Sequence, residues 1–292
     1  MNYSVDPAAL VGSNFSIGDY SVVGAGVAVG DGVSIGGGVF LWSGMVLESG
    51  VVIGSNASFA TDVEATSAEA VSTTVLRSGA RVGANATIGA GLTLGANCRV
   101  TPGSVVTRDV PPNAIVSGNP AHITGYVNTP HLDLPGQAAS ARTGAADGDL
   151  PVLHVKQAAL HRLPKIVDLR GALSFGEVGA HLPFEPKRFF MVYDVPSREV
   201  RGEHAHKACH QFLVCVKGSC GIVVDDGQFR DEILLDSARV GLHIPPMVWG
   251  IQYQFSSDAV LLVLASDTYS AEDYIRNYDE FLGAVQGGRH GA

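Results

Sequence analysis

The sequence predicts an almost wholly β protein, a hexapeptide solenoid followed by a barrel of short strands and a closing helix. Three observations predict it. Every sixth residue from Val5 to Phe59 is apolar, and a second run from Leu76 to Val106 keeps the same step. From Asn128 to Asp149 the composition turns to Pro, Gly, Ala, Ser and Asp without apolar periodicity, as a linker does. Beyond it come short apolar or alternating runs separated by turn residues.

The solenoid anchors are Val5, Val11, Ile17, Val23, Val29, Ile35, Leu41, Leu47, Ile53 and Phe59, then Leu76, Val82, Ile88, Leu94, Val100 and Val106. A period of six is neither the 3.6 of a helix nor the alternation of a strand, so it suits a coil of short strands and turns. Each anchor is expected to point inward and stack on its equivalents in neighbouring coils. The Gly that often follows it is expected to let the backbone turn a corner without a Cβ clash. The fourth residue after an anchor is usually small or β-branched (Ser21, Val27, Val33, Val39, Ala57, Ala86, Cys98, Ser104), as a narrow interior requires. Between Phe59 and Leu76 the step is 17 residues, so Thr61 to Thr74 is expected to leave the coil as a loop, where sites are often built. The expected domains are 1–127 for the solenoid, 128–150 for the linker and 151–292 for the barrel.

In the second half, Phe189 to Val195, Gln211 to Val216, Gly221 to Val224, Val240 to Ile244 and Val260 to Ala265 read as strands of a sandwich or barrel. Ser270-Ala-Glu-Asp273 reads as a capping-box-like helix start, with Tyr274, Tyr278, Phe281 and Leu282 at helical spacing after it.

The formal net charge of −9 divides into −4 for residues 1–127 and −5 for the rest, so neither half carries the basic footprint of a nucleic-acid binder. No run is long and apolar enough for a bilayer-spanning helix, and the start lacks a basic region before an apolar stretch. A cytoplasmic location is the expectation. Cys98, Cys209, Cys215 and Cys220 show no paired spacing and read as free thiols. Gly24-Ala-Gly26 and Gly36-Gly-Gly38 lack the third glycine and the strand-helix-strand setting of a dinucleotide fingerprint.

The hexads, the excursion and the terminal Gly118-Asn119-Pro120-Ala121 resemble the left-handed β-helix acyltransferases over residues 5 to 127. That resemblance implies a trimer of parallel coils with acetyl-CoA between adjacent subunits. Many members use a histidine base, but the first histidine here, His122, follows the coil. Members acting on nucleotide-linked amino sugars often carry an Asn-Asp pair. Here Thr61 precedes Asp62, which leaves Asp62 and Glu64 as candidates to orient an amine. The other reading of this half is a trimeric scaffold without activity.

Arg201-Gly-Glu-His204-Ala-His206-Lys207-Ala-Cys-His210-Gln211 holds three histidines of equal parity, which on a strand face one way. His-x-His opens the metal motif of cupins, the small jelly-roll barrels. The motif's Glu and later His are missing, with Trp249 standing where that His would fall. The cluster is therefore either a metal-free acid/base pair or a three-histidine metal site.

Leu182-Pro-Phe-Glu-Pro-Lys-Arg188, Arg201 to Lys207, Ile244-Pro-Pro-Met-Val-Trp249, Leu261 to Ser266 and Asp273 to Leu282 resemble the dTDP-4-keto-6-deoxyhexose 3,4-ketoisomerases from about residue 164 to 283. With a β-helix in front, the chain is similar to the bifunctional ketoisomerase/N-acetyltransferases of dTDP-3-acetamido-3,6-dideoxyhexose biosynthesis, and so of cell-surface glycan assembly. The resemblance implies His204 and His206 as the proton-transfer pair, with no metal required. An enediolate needs a nearby donor, for which Tyr193 and His210 are the weaker candidates, and Arg188 and Arg201, which match basic positions of the family motifs, are the candidate diphosphate partners. The resemblance also implies a pyridoxal-phosphate aminotransferase acting between the two activities, and a homo-oligomer, trimeric through its coils and hexameric overall. The rival readings are a metal-dependent cupin dioxygenase and a non-catalytic sugar-nucleotide binder.

Overall fold

In a computed structural model, residues 2–61, 73–129, 131–132, 150–155, 157–196 and 199–287 are described, the two at 131–132 by backbone alone. Asp62, Glu64 and most of the linker at 128–150 lie outside them. The chain divides into two compact units, Met1–Val127 and Asn128–Ala292.

The first unit is a parallel β-helix. Two-residue strands pair in parallel with those one coil away, so that Val5 meets Val23 and Val23 meets Leu41. The step from Val46 to Val75 is 29 residues where the step from Ala28 to Val46 is 18, which places the excursion between Phe59 and Val75. From Val23 onward the anchors line the interior, and Ser21, Val27, Val33, Val39, Ala57, Ala86, Cys98 and Ser104 are each no more than 2 % exposed beside them. Ser21 survives there because its hydroxyl donates to the Gly36 carbonyl and accepts from the Val39 amide.

The glycines work differently from the sequence expectation. The left-handed corner residue lies three positions after the anchor, as Gly26 (φ 70°) or Asn56 (φ 58°), not directly after it. The glycine directly after the anchor has ordinary φ, but a Cβ on Gly18 would lie 2.4 Å from the Gly37 amide nitrogen, and one on Gly83 2.4 Å from that of Pro102. Close approach of the next coil, rather than the corner, is what forbids a side chain there.

The second unit packs a six-stranded sheet on a five-stranded one. The six-stranded sheet runs His131–Leu132, Arg230–Leu235, Cys220–Asp225, Trp249–Tyr253, Arg201–His206, Tyr274–Ile275; the five-stranded sheet runs Ala159–Arg162, Val240–Ile244, Gln211–Lys217, Val260–Ala265, Arg188–Tyr193. Apart from the short His131–Leu132 strand, all neighbours in both sheets are antiparallel. Their facing sides enclose a core that includes Leu213, Ile222, Ile233, Leu242, Phe255 and Val263. This is the jelly-roll architecture of a cupin.

The closing helix begins later than its sequence signal. Ala271–Asp273 is a single 3-10 turn without a side-chain cap from Ser270, Tyr274–Ile275 is a strand, and the α-helix spans Tyr278–Gly287. Asp273 cannot serve a helix start because its carboxylate is taken by His206 and the Ala208 amide. The helix lays the buried Phe281 and Tyr278 against Trp249, which is thus a packing residue. Tyr278 Oη also donates to Asp225 Oδ2 (2.6 Å) and accepts from Arg230 Nη2 (2.9 Å). Tyr278→Phe would leave a buried carboxylate short of a donor, so we expect a loss of about 1–3 kcal/mol in chemical denaturation.

Candidate active site

The Arg201–His206 strand is interrupted by a bulge. Arg201 pairs with Gln252 and Gly202 with Ile251, but His204 pairs with Gly250, leaving Glu203 (φ 52°) as the extra residue. Residues directly opposite each other share a sheet face. Gln252, Gly250 and His204 all line the cavity inside the barrel. The bulge therefore puts Arg201 on the cavity face of the sheet despite its odd parity, with its side chain exposed.

His204 and His206 meet in that cavity with ring centroids 5.0 Å apart and planes nearly perpendicular. His204 Nδ1 donates to the Gly202 carbonyl (2.9 Å), which leaves its Nε2 as the lone pair. His206 is 5 % exposed. Its Nδ1 donates to Asp273 Oδ2 (2.7 Å), and its Nε2 lies 3.0 Å from the side-chain nitrogen of Gln211. Asp273 is itself fixed by the Ala208 amide (2.7 Å), and its carbonyl accepts from the Lys207 amide (2.8 Å). Burial pushes both histidines below the ordinary imidazole value, with the Gly202 carbonyl opposing this for His204 and Asp273 opposing it for His206. Both rings are therefore neutral near pH 7, as bases must be. Tyr274 covers them at 4.9 Å and 4.3 Å between centroids, and the Arg276 guanidinium lies 4.2 Å from the centroid of the Tyr274 ring.

Of the other residues singled out in the sequence, Arg188 comes near this region, and Arg201 shares the sheet face of His204. Arg188 is on the inward side of its strand, close enough to depress His206 electrostatically, and its buried Nε has no hydrogen-bond partner among the described residues. Tyr193 and His210 do not reach it. Tyr193 is 58 % exposed on the outer face of the Arg188–Tyr193 strand, because Phe190 and Val192 take the core-facing positions. His210 lies after the strand that carries His204 and His206 has ended, so the parity rule no longer governs it. Its Nδ1 is 2.9 Å from His243 Nε2, the two rings are parallel, and Phe184 packs beside both. A three-histidine set of His204, His206 and His210 thus does not form. The sequence reading missed Asp273, Gln211, Tyr274 and Arg276 as site residues. All four stood inside segments named above, Gln211 after the histidines and the other three in Asp273 to Leu282, but no local pattern ties Asp273, Tyr274 or Arg276 to His206.

The family described as "FdtA: WxcM-like, C-terminal" matches residues 156–286. A curated relative, the TDP-4-oxo-6-deoxy-alpha-D-glucose-3,4-oxoisomerase of Aneurinibacillus thermoaerophilus, is 50 % identical over 117 residues, 40 % of this chain and 84 % of that protein. The chain belongs to the FdtA, WxcM-like family. Its FdtA-like unit is that of a 3,4-ketoisomerase. Among solved structures, a 3,4-ketoisomerase from Helicobacter canadensis is 41 % identical, with 44 % of this chain and 98 % of that one covered and a TM-score of 0.44. The acetyltransferase domain of PglB from Neisseria gonorrhoeae is 24 % identical, with coverages of 42 % and 54 % and a TM-score of 0.37. In the FdtA-like unit as in the rest of the described chain, no helix is long and apolar enough to cross a membrane.

Proposed function

We propose that the C-terminal unit isomerises dTDP-4-keto-6-deoxyglucose to the 3-keto sugar by metal-free proton transfer between His206 and His204. The observation that carries this is a buried neutral imidazole, His206, backed by a carboxylate at 2.7 Å and facing a second imidazole. The C4 carbonyl acidifies the C3 hydrogen. His206 takes that proton, and Asp273 stabilises the imidazolium that results. His204, held by the Gly202 carbonyl, carries the proton of the C3 hydroxyl to the C4 oxygen. The His206 imidazolium then gives its proton to C4, which leaves the ketone at C3 and a neutral ring. Arg188 and Arg201 bind the diphosphate, for which the unpartnered Arg188 Nε supplies a ready donor.

The test is incubation with the 4-keto sugar in D2O, following deuterium at C3 and C4 by NMR. Exchange at C3 with a 3-keto product supports the reading; tight dTDP binding with no exchange would leave only a binding protein. Arg188→Ala is expected to raise KM about 10–100-fold with a smaller change in kcat, the worth of one charge-assisted contact.

For the N-terminal β-helix we propose acetyl transfer from acetyl-CoA to the amine of a dTDP-3-amino-3,6-dideoxyhexose, with Asp62 or Glu64 orienting the amine. A 3-keto product and a 3-amino acceptor are separated by one transamination, so a pyridoxal-phosphate aminotransferase acts between the two steps. Release of free CoA thiol in the presence of the amino sugar tests this, and its absence would make the coil a scaffold. Self-association, through trimeric coils and as a hexamer overall, is part of the proposal, and so is a cytoplasmic location beside the nucleotide-sugar substrates. The exposed Phe189, Met191 and Tyr193 on one sheet face suit a contact with a second copy.

A further inference from the structure

One side chain of the barrel cavity has no part in the proton transfer. Cys209 is 3 % exposed and unbridged. Its Sγ, an imidazole nitrogen of His206 and a carboxylate oxygen of Asp273 all lie within 4.8 Å of one another. Its present partners are weak, the His210 carbonyl at 3.4 Å and the Ser266 hydroxyl at 3.8 Å. The carboxylate is already held in place from the other side by the Ala208 amide.

Thiolate, imidazole and carboxylate together are the donor set of a borderline-soft divalent cation rather than of magnesium or calcium, which want oxygen. Zinc bonds of about 2.3 Å to sulfur and about 2.0–2.2 Å to nitrogen and oxygen set neighbouring ligands roughly 3.3–3.7 Å apart in a tetrahedron. The Cys209 sulfur would need to draw in by about 1 Å, and His206 Nδ1 and Asp273 Oδ2, now 2.7 Å apart, to part by somewhat less, both of which side-chain rotation supplies.

We propose that His206, Cys209 and Asp273 form an inhibitory site for a thiophilic divalent cation, with zinc as its natural occupant and a water completing the tetrahedron. The inference rests on His206 being the isomerase base. On binding, the Cys209 thiol releases its proton to solvent, the His206 ring loses its Nδ1 proton and takes one up at Nε2 so that it stays neutral, and the contact between His206 Nδ1 and Asp273 gives way to bonds from each to the cation. Nothing is oxidised or reduced. The base loses its carboxylate support and its freedom to turn toward the sugar, so the cation silences the same groups that carry the proton.

The test uses the full chain after chelator treatment, with cobalt as a spectroscopic probe and zinc as inhibitor. One tight cobalt per chain with a thiolate-to-cobalt charge-transfer band is expected, along with zinc inhibition of C3 exchange that EDTA reverses. In Cys209→Ser the band should vanish. Its half-inhibitory zinc concentration, measured against the variant's own metal-free rate, should rise by more than the roughly 10–100-fold that loss of an outer-shell partner costs. Thermal unfolding of the variant checks that it is folded. His161→Ala, on the outer sheet face beside His243, should leave band and inhibition as they are. A missing band, or zinc inhibition unchanged by Cys209→Ser, would overturn the inference. Cobalt held by Cys209 in a chain that never exchanges C3 would keep the cation site and sink the isomerase reading. Isomerisation that zinc leaves untouched would sink the inference alone.

Discussion

His206→Asn is expected to lower the rate of deuterium exchange at C3 by about 10²–10⁴-fold while the barrel stays folded. Asn nearly matches the ring's reach to Asp273 but has no lone pair of useful basicity, so the carboxylate keeps a donor and no charge is left stranded. The loss should fall on kcat rather than KM, because the imidazole acts on a hydrogen that carries little ground-state binding. His204→Asn is expected to lose less C3 exchange and more product formation, since its assigned proton is the hydroxyl one. NMR in D2O reads both sites in one experiment. Unchanged rates in both variants would refute the pair as the catalytic groups.

Asp273→Asn is expected to cut kcat by about 10²-fold or more, and to move the acid limb of the rate profile to lower pH. The direction follows from the site. Burial holds His206 below its ordinary value, and the hydrogen bond and charge of Asp273 pull it partly back. Removing that charge takes away the opposing contribution, so the imidazole protonates only at a still lower pH. The same change leaves the imidazolium formed during turnover without its counter-charge, which lowers the rate on the plateau. A merely structural carboxylate would lower activity without moving the limb downward, so the profile of kcat/KM against pH separates the two roles.

Tyr278→Phe and Arg188→Ala probe different layers of the same unit. The first removes one donor from the Asp225 carboxylate that ties the terminal helix to the sheet. The second removes a guanidinium that lies over the Phe190 and Tyr269 rings and whose Nε has no hydrogen-bond partner among the described residues. A stability loss confined to the first and a KM effect confined to the second would show that fold and substrate binding draw on separate residues.

Much of this architecture was legible in the chain alone. Sixfold spacing of anchors such as Leu47 and Ile88, with small residues such as Ala57 and Ala86 between them, leaves only a narrow coil in which both sets are buried. The His-x-His pair and its flanking motifs pointed to the cavity and to its chemistry, because two residues of equal parity on one uninterrupted stretch of strand must share a face. Tertiary structure decided the rest. Parity fails at the Glu203 bulge, which returns Arg201 to the cavity side, and it fails again past His206, where the strand ends and His210 turns to His243. Asp273 reaches His206 from 67 residues away because the Tyr274–Ile275 strand pairs beside it. Local spacing fixes what a residue faces within one element; only the closing of the sheet fixes which distant group it meets.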